Sequence, residues 1–334
     1  MSATPHLHSH KHAPESSKRT LLLRCPRCGS TLGPVVQGIP LFESGITCEQ
    51  CSFVLEHDRG IWLALPPERK RHYDSFLTDY QIVRATEGRG SNDATFYLAL
   101  PYRDTTGRNQ AQWSIRGQSY RYIERELLPA LNPSRSGLDI LDLGAGNGWL
   151  SYRLATQDHR PVAVDLLLNN TDGLGAASHY LQKLQVLFPR FQAELDRLPF
   201  EDGQFDCAIF NASFHYSEDY AQTLREALRC VRKGGHVIIA DSPWYAKDES
   251  GRQMLRERRA AFQQQYGFPS DGLSSQEYLT DERLNQLEKL FGIRWQVHHP
   301  NYGLRWAMRP IVARLNGKRE PSSFRIYAAR VAKP

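Results

Sequence analysis

Four cysteines and three glycines carry the most legible chemistry in these 334 residues. Cys25, Cys28, Cys48 and Cys51 follow the spacing C-x2-C-x19-C-x2-C. Each C-x2-C pair is a turn that aims two thiolates at one metal. Two such turns make a closed tetrahedral zinc site with no open position, so the expected metal is structural. It would fasten a segment too short to build its own core. Two disulfides are the competing reading, and a cytoplasmic chain disfavours them. Gly144, Gly146 and Gly148 alternate within L-D-I-L-D-L-G-A-G-N-G-W, residues 138–149. The apolar run before them reads as a buried strand, and Leu150–Ala155 after them as a helix. Glycine tolerates positive φ and has no Cβ to block a ligand, and the helix start offers free N–H groups to an anion. A second apolar run, P-V-A-V-D, ends in Asp165, 21 residues after Gly144. A carboxylate there can accept two hydrogen bonds from a ribose diol. His215, in N-A-S-F-H-Y, is a candidate base near neutral pH, with a capping or core histidine as the plainer reading.

The dinucleotide form of the glycine turn is G-x-G-x-x-G. Here the third glycine falls one residue early and Trp149 holds its place. The form present, D-x-G-x-G-x-G from Asp142 to Gly148, resembles motif I of class I S-adenosylmethionine (SAM)-dependent methyltransferases. Further on, D-R-L-P-F-E-D-G-Q-F-D resembles the D-x-x-x-L-P-F-x-D-x-x-F-D segment of the type 11 methyltransferases, the group of the ubiquinone/menaquinone-biosynthesis C-methyltransferases. The acid, Asp196, stands closer to L-P-F than in that pattern. R-K-G-G-H-V-I-I-A-D resembles the same group's L-x-P-G-G segment, with Lys233 where proline is usual. The resemblance covers about residues 113–334. It implies a Rossmann-like α/β fold with a seven-stranded class I methyltransferase sheet. It implies SAM as cofactor, held by Asp142, Gly144, Ala145, Gly146 and Gly148 at the methionine end, and by Asp165 and Leu166 at the ribose. Asp196, Arg197 and Leu198 would lie at the adenine, and Asn211 and His215 near the transferred methyl group. The N/D-P-P-Y form used on amino nitrogens and the Pro-Cys nucleophile of cytosine-C5 enzymes are both absent. Residues 21–65 resemble the small zinc-ribbon activator of some RNA and protein methyltransferases. A ribbon ahead of a methyltransferase domain is also the architecture of the guanine-N1 methyltransferases of large-subunit ribosomal RNA.

The chain that must position these residues divides into four parts. Residues 1–20, with His6, His8, His10 and His12, read as a disordered tail with at most weak metal affinity. Residues 21–65 are the ribbon. Residues 66–112 are a Pro- and charge-rich connector or lid with one helix near Tyr73–Ala85. Residues 113–334 are the methyltransferase domain. Within it, a helix over Gln112–Leu131 offers Trp113, Arg116 and Tyr120 to a ligand, and strands are expected over 191–196, 207–211, 293–297 and 324–331. A helix is expected over Tyr220–Val231, and residues 246–291 should be helical. Cys207 and Cys230 read as small core residues.

Charged residues at 23% and hydrophobic at 40% suit a globular protein. The absence of an 18-residue apolar run excludes a spanning helix, and the start lacks an apolar signal core, so the expectation is a cytoplasmic chain. The net charge of +6 is uneven: Gly292 to the end carries nine Lys/Arg and one acid, Glu320. Such a surface attracts RNA, an anionic substrate or a membrane. The expected function is methyl transfer to a small-molecule or lipid-like acceptor. The alternatives are an RNA methyltransferase that uses the ribbon for recognition, and a non-catalytic SAM- or partner-binding module.

Overall fold

The computed structural model describes residues 20–36, 45–131, 137–267 and 272–332; the His-rich tail to residue 19 lies outside them. The cysteine-bearing segment forms β1 (Thr20–Arg24), β2 (Thr31–Val36), β3 (Ile46–Thr47), β4 (Val54–Asp58) and β5 (Ile61–Leu63). In β1, Leu21 and Leu23 point inward and Leu22 outward, the alternation a half-buried strand requires. The connector folds as α1 (Pro67–Thr86) and α2 (Ala94–Ala99). Pro67 opens α1, where a missing N–H breaks no helical bond. Then α3 (Gln110–Tyr122) runs through one π-helical turn, Ile123–Leu127, into α4 (Leu128–Leu131). Strands and helices alternate from there: β6 (Asp139–Leu143), α5 (Trp149–Ala155), β7 (Arg160–Asp165), a 3-10 segment (Leu174–Gln182), β8 (Arg190–Gln192), β9 (Phe205–Asn211), α6 (Tyr220–Cys230) and β10 (Val231–Ala240). The chain closes with α7 (Asp248–Tyr266), α8 (Asp281–Phe291), β11 (Trp295–His298), α9 (Leu304–Ala307), α10 (Arg309–Leu315) and β12 (Ile326–Arg330).

Seven strands lie in the order β11-β12-β10-β9-β6-β7-β8. The five from β10 to β8 are parallel neighbours, and β12 is antiparallel to both β10 and β11. Every residue of β9 is buried, as expected for a central parallel strand covered on both faces. Its side chains alternate between two apolar layers: Ala208 and Phe210 join one, Cys207 and Ile209 the other. Successive strands step outward from β6 to β8, then the chain returns to β9 on the other side of β6. That reversal opens a crevice at the carboxyl ends of β6 and β9, where α/β sheets place ligands.

The sheet is larger than the seven strands expected. β5 pairs in parallel with β8 (Trp62↔Phe191), and β4 and β3 continue the sheet to ten strands. The cysteine-bearing segment is built into the edge of the sheet: its apolar residues Leu21, Leu23, Val35, Phe53, Leu55 and Trp62 share one core with Phe191, Phe200 and Phe205. The backbone of β1 also meets the L-P-F segment: Arg24 N donates to Pro199 O at 3.1 Å and Glu201 N to Leu22 O at 3.0 Å.

Two local expectations need correction. The third strand ends at Gln192, not Asp196, because the Glu194 side chain is drawn away to α1. Residues 246–291 are not one helical stretch: Gly267, at φ 80°, stops α7, and Leu279 then pairs with the Pro243–Tyr245 backbone before α8 begins.

Candidate active site and metal centre

The glycine turn sits between β6 and α5. Gly144 has φ 76°, and a Cβ on it would lie 2.2 Å from the Ser213 Cβ, so no other residue fits. Ser213 is fixed by its hydroxyl, which donates to Leu143 O at 2.5 Å. Gly148 supplies the left-handed residue from which α5 starts. Asp165, at the end of β7, accepts Gly146 N–H on one oxygen and Leu167 N–H on the other, both at 2.8 Å. Burial pushes its carboxyl up, and those two N–H groups oppose the shift. Each oxygen keeps a lone pair free.

Around this turn lies a cleft of about 910 Å³, counting its open mouth. Gly144, Ala145, Gly146, Asp165, Leu166 and Asn211 line it, as the motifs predict. So do Trp113 and Arg116 of α3. The Trp113 indole N–H is buried and has no hydrogen-bond partner among the described residues. Arg116 lies 4.9 Å over the Trp113 ring and makes no ion pair among the described residues; burial lowers its pKa. At the carboxyl ends of β9 and β10, buried Asp241 accepts hydrogen bonds from Asn211 Nδ2 at 3.1 Å and from the Ser119 hydroxyl.

Six expected residues fall elsewhere. Asp142 is walled in behind the turn, where it accepts Ser151 N–H (3.1 Å) and Oγ–H (2.7 Å); burial pushes its carboxyl up to about 7. It ties the loop to α5. Gly148 faces Phe188, not the cleft. Asp196 accepts the Thr223 hydroxyl at 3.0 Å, with its carboxyl raised by burial to about 6. Arg197 is exposed and Leu198 is part of the core. Ala193 and Leu195 line the cleft in their place. The acid four residues before Leu198 is Glu194, the spacing the type 11 pattern asks for; it is buried and held by Arg69 and Tyr73 of α1. His215 is also absent from the cleft wall. Its Nδ1 lies 3.3 Å from Ser242 Oγ, and burial lowers its pKa to about 4, so it is neutral.

The connector supplies what sequence reasoning left unassigned. Phe76, Tyr80 and Arg84 recur every four residues on one face of α1 and form a wall of the cleft. That period was the available signal. Arg84 pairs with buried Asp172 through both ends of its guanidinium, Nη2 lying 2.8 Å from Oδ1. The rings of Phe76, Tyr80 and Tyr216 stand 5.4–6.4 Å apart. These three residues and Arg84 also line a second, outer cavity, together with Asp79, Phe262, Tyr266 and the Arg258–Glu277 ion pair.

At the other end of the sheet, the four cysteine Sγ atoms lie within 4.8 Å of one another, with no disulfide among them. The two turns are alike: Gly29 N donates to Cys25 O and Ser52 N to Cys48 O, both at 2.8 Å. Gly29 and Ser52 both have positive φ. Arg27, inside the first turn, grips Glu68 at the start of α1 with two bonds of 2.9 and 2.8 Å.

Residues 141–239 match a family described as a methyltransferase domain, the type 11 group. Two curated relatives are similar over shorter stretches. The sarcosine/dimethylglycine N-methyltransferase of Halorhodospira halochloris is 32% identical over 51% of this chain and 62% of its own length. A ubiquinone/menaquinone biosynthesis C-methyltransferase of Rhizobium johnstonii is 27% identical over 36% of this chain and 48% of its own. The chain thus spans only about half to three-fifths of these relatives' length. A crystal structure of a putative sarcosine dimethylglycine methyltransferase from Galdieria sulphuraria superposes with a TM-score of 0.50 at 13% identity, over 76% of this chain and 98% of that one. The shared fold is the Rossmann-like sheet of class I methyltransferases.

Proposed function

We propose that this chain is a SAM-dependent methyltransferase acting on a small-molecule acceptor, with SAM in the inner cleft and the acceptor in the outer cavity. The observation that carries the reading is Asp165: a buried carboxylate at the tip of β7, anchored by two backbone N–H groups, with lone pairs left for a ribose diol. The cleft fits the rest of SAM by its chemistry. The Gly144–Gly146 turn leaves no side chain in the way. Leu166, Ala193 and Leu195 offer apolar surface to a base. Arg116, without an ion-pair partner, and the orphaned Trp113 N–H suit a carboxylate. When bound, SAM supplies an electrophilic methyl group on a sulfonium.

The chain's own part is alignment and exclusion of water. Phe76, Tyr80 and Tyr216 border both cavities, so they form the passage between them. Their ring faces favour positive charge there and keep water out. His215 lines neither of these two cavities, and burial, which lowers its pKa to about 4, makes it a weak base for an acceptor proton. The relatives named for sarcosine/dimethylglycine and for ubiquinone/menaquinone biosynthesis support a small acceptor, and their names span nitrogen and carbon. The four clustered cysteines support a structural zinc.

The test is radiolabelled SAM with cell extract, partitioned into RNA, protein and organic-soluble fractions, after SAM binding has been measured by calorimetry. Label in the organic or small-molecule fraction is expected. Label in RNA would overturn the acceptor class. SAM binding without turnover on any fraction would make the chain a binding module, and no SAM binding would overturn the whole reading.

A further inference from the structure

The helices α9 and α10 are amphipathic in the wrong sense for a folded domain. Met308 has helical φ/ψ, Met308 N donates to Leu304 O and Val312 N to Met308 O, so residues 304–315 behave as one bent helix. At about 100° per residue, Leu304, Met308, Ile311, Val312 and Leu315 fall within an arc of about 100°. All five are exposed, Leu304 at 79% and Leu315 at 81%. They make up five of the thirteen large hydrophobics exposed among the described residues. The opposite face packs inward: Trp306 stacks on Phe324 with ring centroids 5.5 Å apart, and Arg309 lies 3.8 Å over Trp306. A helix that turns its aliphatic stripe outward and its one aromatic residue inward needs an apolar partner beyond the described residues.

We propose that this stripe docks the protein on an anionic membrane surface. Charge settles the kind of partner. Arg305 and Arg314 fall on opposite flanks of the apolar arc, and Lys318 follows; all three are exposed, and none has an ion-pair partner among the described residues. Aliphatic insertion between two rows of cations is how an interfacial helix holds anionic headgroups. An RNA surface would ask for exposed aromatic rings to stack on, and the one ring available, Trp306, is turned away. No described helix is long and apolar enough to cross a membrane, so the contact is peripheral. The inward face of the same helix, opposite the docked one, lies beside the route to the acceptor. Arg309 lines a small cavity with Arg258 and Glu277, and those two also line the outer cavity.

The full chain should be sedimented with vesicles of phosphatidylcholine, with and without phosphatidylglycerol, at rising salt. Binding to the anionic vesicles, weakened by salt, is expected. The double variant Leu304→Gln/Leu315→Gln leaves the fold intact, since both side chains are almost fully exposed, and should bind those vesicles about tenfold or more weakly. No binding to anionic vesicles, or equal binding by the variant, overturns the proposal. So does sedimentation velocity that shows a dimer which the same substitutions dissociate, for then a second copy covers the stripe. RNA binding unaffected by the leucine substitutions, with no vesicle binding, reassigns the flanking cations.

Discussion

Replacing Asp165 with Asn separates the two tasks of this carboxylate. Its oxygens hold Gly146 N–H and Leu167 N–H at 2.8 Å each and leave lone pairs for two ligand hydroxyls. Asn has the same shape but one acceptor oxygen. Its NH2 group must face either a backbone N–H or a ligand hydroxyl as a second donor. On the protein side, one buried backbone N–H loses its partner, a cost of about 1–3 kcal/mol. On the ligand side, two hydrogen bonds to a charged acceptor are lost or reduced to neutral ones. At about 1.5 kcal/mol each, that is about 3 kcal/mol, or a rise in Kd of roughly 140-fold. Calorimetric titration with SAM reads the second effect, and a thermal melt without ligand reads the first. A variant that melts a few degrees lower and binds SAM two orders of magnitude more weakly fits the assignment. A Kd within about threefold of the wild type, in a variant with a normal melt, refutes it.

Other perturbations test the frame around the cleft. The protein should carry one zinc, lost in Cys48→Ser; a wild type that is metal-free by atomic absorption and still fully folded would remove the metal site. Asp142 has a folded pKa near 7 against an unfolded value near 4, so its stabilising contribution is complete below about pH 4 and disappears as pH rises through 7. Asp142→Asn should therefore lack a pH-dependent loss of up to about 4 kcal/mol over that window, and parallel urea-midpoint profiles for the two proteins would contradict this. Arg69→Ala leaves the fully buried Glu194 carboxylate with the Tyr73 hydroxyl and the more distant Arg197, and should destabilise by about 3–5 kcal/mol. Arg69→Met/Glu194→Gln should recover over half of that in urea unfolding; strictly additive losses would show that the pair is uncoupled.

The parts of the fold written in local pattern were legible. Buried parallel strands such as β7 and β9 announce themselves as apolar runs, and the glycine spacing locates the turn because only glycine can sit where Gly144 does. The cysteine spacing was legible for a similar reason: each C-x2-C turn is local, and the repeat of the same turn signals one shared site. Long-range choices were not legible. That Glu194 stands four residues before Leu198 can be counted in the sequence; that α1 buries and holds it cannot, since its partners Arg69 and Tyr73 are over 120 residues away. His215 looks like a base in sequence, but its backbone trajectory after Ala212, at φ 56°, buries it beside Ser242. The wall formed by α1 lay hidden in a connector whose composition suggested only a lid.

The pairing of β5 with β8 has a consequence for how the protein behaves in bulk. Without residues 20–65, β8 would become an outer strand, and Arg190, Phe191 and Gln192 would present a bare row of N–H and C=O groups. Such a row is a template for another chain. As built, the cysteine-bearing segment covers it and closes that end of the sheet with β3, only two residues long, next to the turn of Cys48. Loss of the proposed zinc would therefore unmask an adhesive edge, and chelator-treated protein should self-associate in a concentration-dependent way well before the cleft itself unravels.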